Sequence, residues 1–300
     1  MIVSSEVEVD GRRGLLTVPG DQVVRGGVVA LHGSSSSSYR QVIFEHLAAT
    51  VAPLGIAVLS FERAAWPRDD VDIPFSVQAS GAVAAYDVLR GLYDVPIAFW
   101  GVSQGTWIAA LAAQERVAES LVLLGCSGVS PAEQMRHATA EAVRRAGYGE
   151  EAVGQAVRIR DAVADLLRSS AEPEAPASAE RAAVVELLQR SAGEPWFDLV
   201  GLTADDLTGD LPVWHELDFA SEPLYATVRC PVLLIHGADE ANLPVPQTLE
   251  VWRRAAATAG NDRVEHVLVP DAGHWPGTPD RTLDGISPAY TEILRDWFRA

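Results

Sequence analysis

Ile97-Ala98-Phe99-Trp100-Gly101-Val102-Ser103-Gln104-Gly105-Thr106-Trp107-Ile108-Ala109-Ala110 is the stretch whose reading decides the fold. An apolar run of strand type ends at Gly101, and an alanine-rich, helix-forming run begins just past Gly105. Between them stands Gly-x-Ser-x-Gly, the pattern of a sharp strand-to-helix turn with an exposed serine. A serine hydroxyl is a weak nucleophile unless it stands clear of the backbone beside a base. The turn is tight enough that neighbouring side chains would collide, which explains a glycine two residues to either side of Ser103. The helix that follows points free N–H groups and its positive dipole end at the same spot, which favours an oxyanion there.

Outward from this turn the chain alternates. Residues 4–18 read as two short strands around a turn at Asp10-Gly11, and Val24–Leu31 as a central strand buried on both faces. A helix is expected over about Tyr39–Ala52, a buried strand over Gly55–Phe61, a Pro- and Asp-rich loop over Glu62–Ser76, and a helix over Val77–Leu92. After the Ser103 turn comes a strand at Ser120–Gly125. Strand and helix in alternation mean a parallel sheet with right-handed crossovers. The alternation stops for about one hundred residues, where Pro131–Ala146, Glu150–Ser169 and Ala179–Ala192 read as helices and Glu194–Tyr225 as irregular. It resumes with a strand at Cys230–Gly237, a helix at Val245–Ala259, a strand at Val264–Val269 and a closing helix at Ser287–Phe298. The expected division is a core of residues 1–126 and 228–300, with an insertion of residues 127–227 that overhangs the strand C-termini.

Composition sets outer limits. The 300 residues carry a formal charge of −18, which argues against nucleic acid and anionic membrane surfaces as partners. No apolar run reaches the roughly 18 residues of a membrane span, and no leader pattern opens the chain, so a cytoplasmic location is the expectation. Cys126 leaves one strand at its C-terminal end and Cys230 enters another at its N-terminal end. Parallel strands would hold them at opposite edges of the sheet, so a disulfide is not expected. No Cys/His spacing suggests a metal. A homodimer is the base-rate expectation for assembly.

A serine nucleophile needs a base, and the base an orienting acid. His274, in Pro270-Asp271-Ala272-Gly273-His274-Trp275, falls in the loop after the last strand, on the same sheet edge as Ser103. His46, His137, His215, His236 and His266 fall on helices, strands or the insertion, and His236 reads as a support for its loop. The acid is sought in His236-Gly237-Ala238-Asp239-Glu240-Ala241-Asn242-Leu243-Pro244. Matching Gly-x-x-Asp-x-x-Val-Pro from both ends puts Glu240 at the acid position, with Asp239 as the alternative. Oxyanion donors are expected from the backbone of Gln104, directly after Ser103, and of Ser34, after His32-Gly33. Ser35, Glu62, Trp66, Trp107, Trp196, Trp214 and Trp275 are the candidates for substrate contact.

With these residues placed, the chain resembles the α/β-hydrolase superfamily over nearly its full length. Within it, the chain is similar to the bacterial dipeptidyl-aminopeptidase or acylaminoacyl-peptidase-like branch, which includes esterases. The matches are Trp100–Ala109, Gly128-Val129-Ser130-Pro131-Ala132-Glu133-Gln134, and Asp218-Phe219 followed by Val228-Arg229-Cys230-Pro231-Val232-Leu233. The resemblance implies a serine hydrolase of about eight mostly parallel strands. It also implies a helical cap inserted after the sixth strand, a small-molecule acyl substrate and no cofactor. Three positions depart from the pattern. Thr106 stands where relatives usually have a second glycine, Glu62-Arg63-Ala64-Ala65-Trp66 replaces Asp-x-Arg-Gly, and Ser34–Ser38 replaces a glycine-rich loop. The expected activity is cleavage of a carboxylic ester. Amide, thioester or lactone cleavage and acyl transfer use the same groups, an exopeptidase would use Glu62 to hold a free amine, and a binding protein would use none of them.

Overall fold

The computed structural model describes residues 2–34, 38–62, 73–170, 177–208, 211 and 213–299. Its frame is one eight-stranded sheet: β1 (Ile2–Val9), β2 (Arg12–Pro19), β3 (Gly26–Leu31), β4 (Ile56–Phe61), β5 (Ile97–Val102), β6 (Leu121–Leu124), β7 (Val232–Gly237) and β8 (Val264–Val269). The spatial order is β1-β2-β4-β3-β5-β6-β7-β8. β1 and β2 pair antiparallel, and β2 joins β4 antiparallel. Every later pairing is parallel. The first two strands can pair directly because Asp10-Gly11, both at positive φ, close them in a two-residue turn. The parallel strands need crossovers, which are helical.

The helices of this unit are α1 (Val42–Val51), α2 (Phe75–Leu92) and α3 (Gly105–Glu115). Strands β3 to β7 are buried along their whole length, which is why they read as continuous apolar runs rather than alternating ones. Alternation still sorts their side chains to two faces. One face carries Val28, Val58, Trp100, Val122 and Ile235, packed with Ile43, Phe44 and Leu47 of α1. Trp100 meets Phe44 edge-on at 6.0 Å. On the other face Phe99 stacks on Tyr86 of α2 at 5.7 Å.

The chain forms two compact units, residues 1–128, 221–240 and 245–300 in one, and residues 129–220 and 241–244 in the other. The second unit holds α4 (Pro131–Arg145), α5 (Glu150–Ser170) and α6 (Ala177–Ser191). α4 opens with a capping box, in which the Ser130 hydroxyl accepts from the Glu133 N–H and the Glu133 carboxylate accepts from the Ser130 N–H. This unit has its own core of Val143, Ile159, Val163, Leu188, Trp196 and Val200. The first unit is completed by α7 (Ser221–Tyr225), α8 (Val245–Ala259) and α9 (Pro288–Arg299). Tyr290 and Leu294 of α9 join the α1 side of the core.

Several boundaries differ from the sequence reading. α1 begins at Val42 rather than Tyr39, because Tyr39 is buried and its carbonyl accepts from the Ser60 hydroxyl at 2.8 Å. α2 begins at Phe75, two residues early, with Pro74 fixing the entry. β3 begins at Gly26, after Arg25 turns aside to donate to the Leu54 and Phe298 carbonyls. The stretch read as irregular contains two 3-10 turns, Phe197–Val200 and Asp205–Leu207, and the short α7. Both cysteines are free: Cys126 lies just past the end of β6, and Cys230 just before the start of its parallel neighbour β7. Among the described residues no helix is long and apolar enough to cross a membrane.

Leu59 sits in the central β4 with no exposed surface. Leu59→Ala is expected to lower unfolding stability by about 2–5 kcal/mol in urea titrations, while reductant leaves the wild-type midpoint unchanged.

Candidate active site

Ser103 follows β5 directly and has φ +53, the left-handed region that side-chain-bearing residues avoid. Its N–H donates to the Leu124 carbonyl of β6 at 2.8 Å, so the last sheet bond holds the residue that leaves the sheet. The chain then turns straight into α3. The turn demands its glycines. A Cβ on Gly101 would stand 2.4 Å from the Gly105 oxygen, and one on Gly105 would stand 2.5 Å from the Leu31 oxygen of β3. Both distances are impossible for real Cβ atoms, so backbone packs on backbone here.

The structure brings three predicted side chains into line. The Ser103 hydroxyl lies 3.1 Å from His274 Nε2, and His274 Nδ1 lies 2.9 Å from Glu240 Oε2. Glu240 is 2% exposed and His274 22%, so the carboxylate is enclosed while the imidazole edge reaches open space. A carboxylate only accepts, so the Nδ1 position carries the proton and Nε2 is left to accept from the serine hydroxyl. Such an imidazole can take the hydroxyl proton, and the enclosed carboxylate stabilises the charge that results.

Asp239 occupies a different place. Its side chain is exposed, and its N–H donates to the Ala272 carbonyl at 2.9 Å, tying the β7 loop to the loop that carries His274. Gly33 lies against Ser103, so close that a Cβ there would stand 3.2 Å from the serine Cβ. Ser34 therefore follows at the edge of the site, exposed, while Gln104 begins the turn into α3 and is buried.

The candidates for substrate contact scatter. Trp107 is buried. Its indole N–H donates to the Ser127 carbonyl and the Ser221 hydroxyl, and its ring stacks on Phe75 at 5.4 Å. Trp196 and Trp214 pack in or against the core of the second unit. Trp275 packs partly buried against the α1 side of the core, and the Arg281 guanidinium lies 5.4 Å above its ring. Glu62 directly follows β4 and accepts from the Arg13 guanidinium at 2.6 Å. Ser35 and Trp66 lie outside the described residues.

Several residues that sequence reasoning missed surround the site. Gly125, with φ +62, puts its α-carbon against the imidazole, and a Cβ there would stand 2.9 Å from His274 Cε1. Its place at a strand end before Cys126 was the available signal. The Cys126 thiol, fully buried, contacts the Tyr225 hydroxyl at 3.2 Å and accepts from Trp252 Nε1 at 3.3 Å. Tyr225 stacks on Trp252 at 4.1 Å and donates to the Ser127 carbonyl at 2.7 Å. Burial pushes both the thiol and the phenol up, so they stay neutral. Among the described residues no group of three or more His, Cys, Asp or Glu is placed to hold a metal.

His236 takes the supporting place expected of it. It is fully buried, and its Nε2–H donates to the Cys126 carbonyl at 2.9 Å. Burial pushes its pKa down to about 4, with the nearby His266 and His274 also disfavouring charge and Glu240 favouring it.

A model of the alpha/beta hydrolase family matches residues 28–284. Among curated proteins, none matches the sequence. Among solved structures, the chain is similar to a proline iminopeptidase from Mycobacterium smegmatis, at 14% identity and a TM-score of 0.56, over 99% of this chain and 97% of that one. It is similar to a dienelactone hydrolase from Anabaena variabilis, at 17% identity and a TM-score of 0.52, over 99% and 96%. It is also similar to an esterase from Pyrococcus furiosus, at 14% identity and a TM-score of 0.57, over 99% and 88%. At these identities the likeness is one of fold.

The buried neutral His236 makes stability depend on pH. Its folded pKa lies below the ordinary value near 6.5, so between pH 6.5 and 4 the unfolded chain binds a proton that the folded chain refuses. Stability is expected to fall through that window as pH falls, by about 3 kcal/mol from this group, and buried His46, also held at about 4, adds to it. Urea unfolding at pH 7 and pH 4.5 measures the loss, and His236→Asn is expected to reduce the slope.

Proposed function

Because this chain belongs to the alpha/beta hydrolase family, we propose that it is a serine hydrolase that cleaves a carboxylic ester of a small molecule through an acyl-enzyme on Ser103. The observation that carries this reading is the hydrogen-bonded line from the Ser103 hydroxyl through His274 to the enclosed Glu240 carboxylate. Ser103 Oγ attacks the ester carbonyl while its proton passes to His274 Nε2. Glu240 holds the imidazole in the required tautomer and stabilises the imidazolium. The N–H groups of Gln104 and Ser34 receive the oxyanion. The tetrahedral intermediate collapses, the C–O bond breaks, and the leaving alkoxide takes the proton from His274. Water then attacks the acyl-enzyme, giving its proton to His274, and the acid leaves as His274 returns that proton to Ser103 Oγ.

The Gly128–Gln134 and Val228–Leu233 stretches favour the dipeptidyl-aminopeptidase or acylaminoacyl-peptidase-like branch, with its esterases. The ion pair between Glu62 and Arg13 supports an ester substrate over an N-terminal peptide. A carboxylate already neutralised at 2.6 Å is a poor anchor for a free ammonium group.

The test joins p-nitrophenyl ester hydrolysis with fluorophosphonate labelling and mass spectrometry of the adduct. Wild type is expected to carry the adduct on Ser103. Ser103→Ala and His274→Ala are expected to lose both labelling and several orders of magnitude in kcat. Glu240→Gln is expected to lose about 10²–10⁴-fold in kcat, and Asp239→Asn to stay close to wild type. Full activity in Ser103→Ala would sink the proposal.

A further inference from the structure

Thr106, the second residue of α3, is fully buried, and its side chain reaches back to the nucleophile turn. Its hydroxyl donates to the Ser103 carbonyl at 2.7 Å, and its backbone N–H donates to the same oxygen at 2.9 Å. Two donors on one carbonyl fix the plane of the peptide that joins Ser103 to Gln104.

That peptide is the one whose nitrogen belongs to Gln104. A peptide unit is planar and trans, so its C=O and N–H point in opposite directions and turn together. Ser103 sits at φ +53, where the backbone has no intrinsic preference to hold it. A single N–H···O bond leaves the plane free to rock about the line joining donor and acceptor. A second donor, arriving from another direction on a buried β-branched side chain with a restricted χ1, removes that freedom.

We propose that Thr106 is a positioning residue for oxyanion stabilisation: its hydroxyl, by fixing the Ser103 carbonyl, aims the Gln104 N–H. The inference rests on the reading of Ser103 as the nucleophile. Thr106 touches no substrate. Its effect is confined to the state in which negative charge has developed on the carbonyl oxygen, and the ground-state complex does not need it.

The test compares Thr106→Val, which keeps the shape and removes the hydroxyl, with Thr106→Ser, which keeps the hydroxyl. The probes are p-nitrophenyl butyrate hydrolysis and inhibition by an aryl trifluoromethyl ketone, whose serine adduct carries an oxyanion. Thr106→Val is expected to lower kcat about tenfold with KM within about twofold, and to weaken the trifluoromethyl ketone by about the same factor. Thr106→Ser is expected to recover most of both. Where Thr106→Val fails to fold, Thr106→Ala carries the same expectation. Wild-type kcat and inhibitor affinity in the hydroxyl-less variant would overturn the inference alone, as would a Ser variant as impaired as the Val variant or a loss confined to KM. A wild-type enzyme that neither hydrolyses the ester nor labels at Ser103 would overturn the underlying reading and this inference with it.

Discussion

The passage of α3 across the C-terminal end of β3 is the constraint on which the rest depends. There the Gly105 backbone packs so close to the Leu31 and His32 carbonyls that no side chain fits between them. This contact lets β5 end and a helix begin within three residues. It also forces Ser103 into the left-handed region, at a cost of roughly 1–2 kcal/mol for an L-residue. The cost is offset by the ladder bond from the Ser103 N–H to β6 and by the bonds onto the Ser103 carbonyl from Thr106. A residue held this way presents its hydroxyl outward, so the position of the hydroxyl follows from backbone packing rather than from contacts of its own.

Opposite the hydroxyl, the imidazole is held by geometry of the same kind. Gly125 leaves room for the flat of the His274 ring, and its left-handed backbone passes the chain down into Cys126 and Ser127. Buried polar groups must find partners, and this segment supplies them densely. His236 and Tyr225 donate to its carbonyls, and Trp252 donates to its sulfur. The floor beneath Ser103 and His274 is thus polar, uncharged and closely packed, with the buried His236 Nδ1 making no hydrogen bond. Glu240 is an enclosed carboxylate beside it and contacts His274.

Much of this was legible in the chain itself. The run of buried strands from β3 to β7 announces a parallel sheet, since only strands covered on both faces are apolar throughout. Gly101 and Gly105 flag the tight turn because nothing larger passes there. Boundaries were less legible where a tertiary contact outbid local propensity, as at Tyr39, whose burial delays α1 to Val42. The aromatic residues were the least legible. Trp107 has the composition of a pocket wall, but its indole N–H is used by Ser127 and Ser221 and its face by Phe75.

The sequence by itself determined what local rules decide: which runs are strand or helix, where the chain must turn on glycine, and that Cys126 and Cys230 stand apart. These follow from periodicity and sterics within a few residues of chain. Only the tertiary structure decided which of two adjacent carboxylates meets His274, that Glu62 is matched by Arg13, and that the Thr106 hydroxyl bears on the Ser103 carbonyl. The physical reason is range. Glu240 and His274 are 34 residues apart, and Arg13 and Glu62 are 49 apart, so each pairing depends on the register and twist of strands far apart in the chain. For Thr106 the separation is only three residues, but the bond needs the left-handed turn at Ser103, which the packing of Gly105 onto the end of β3 imposes.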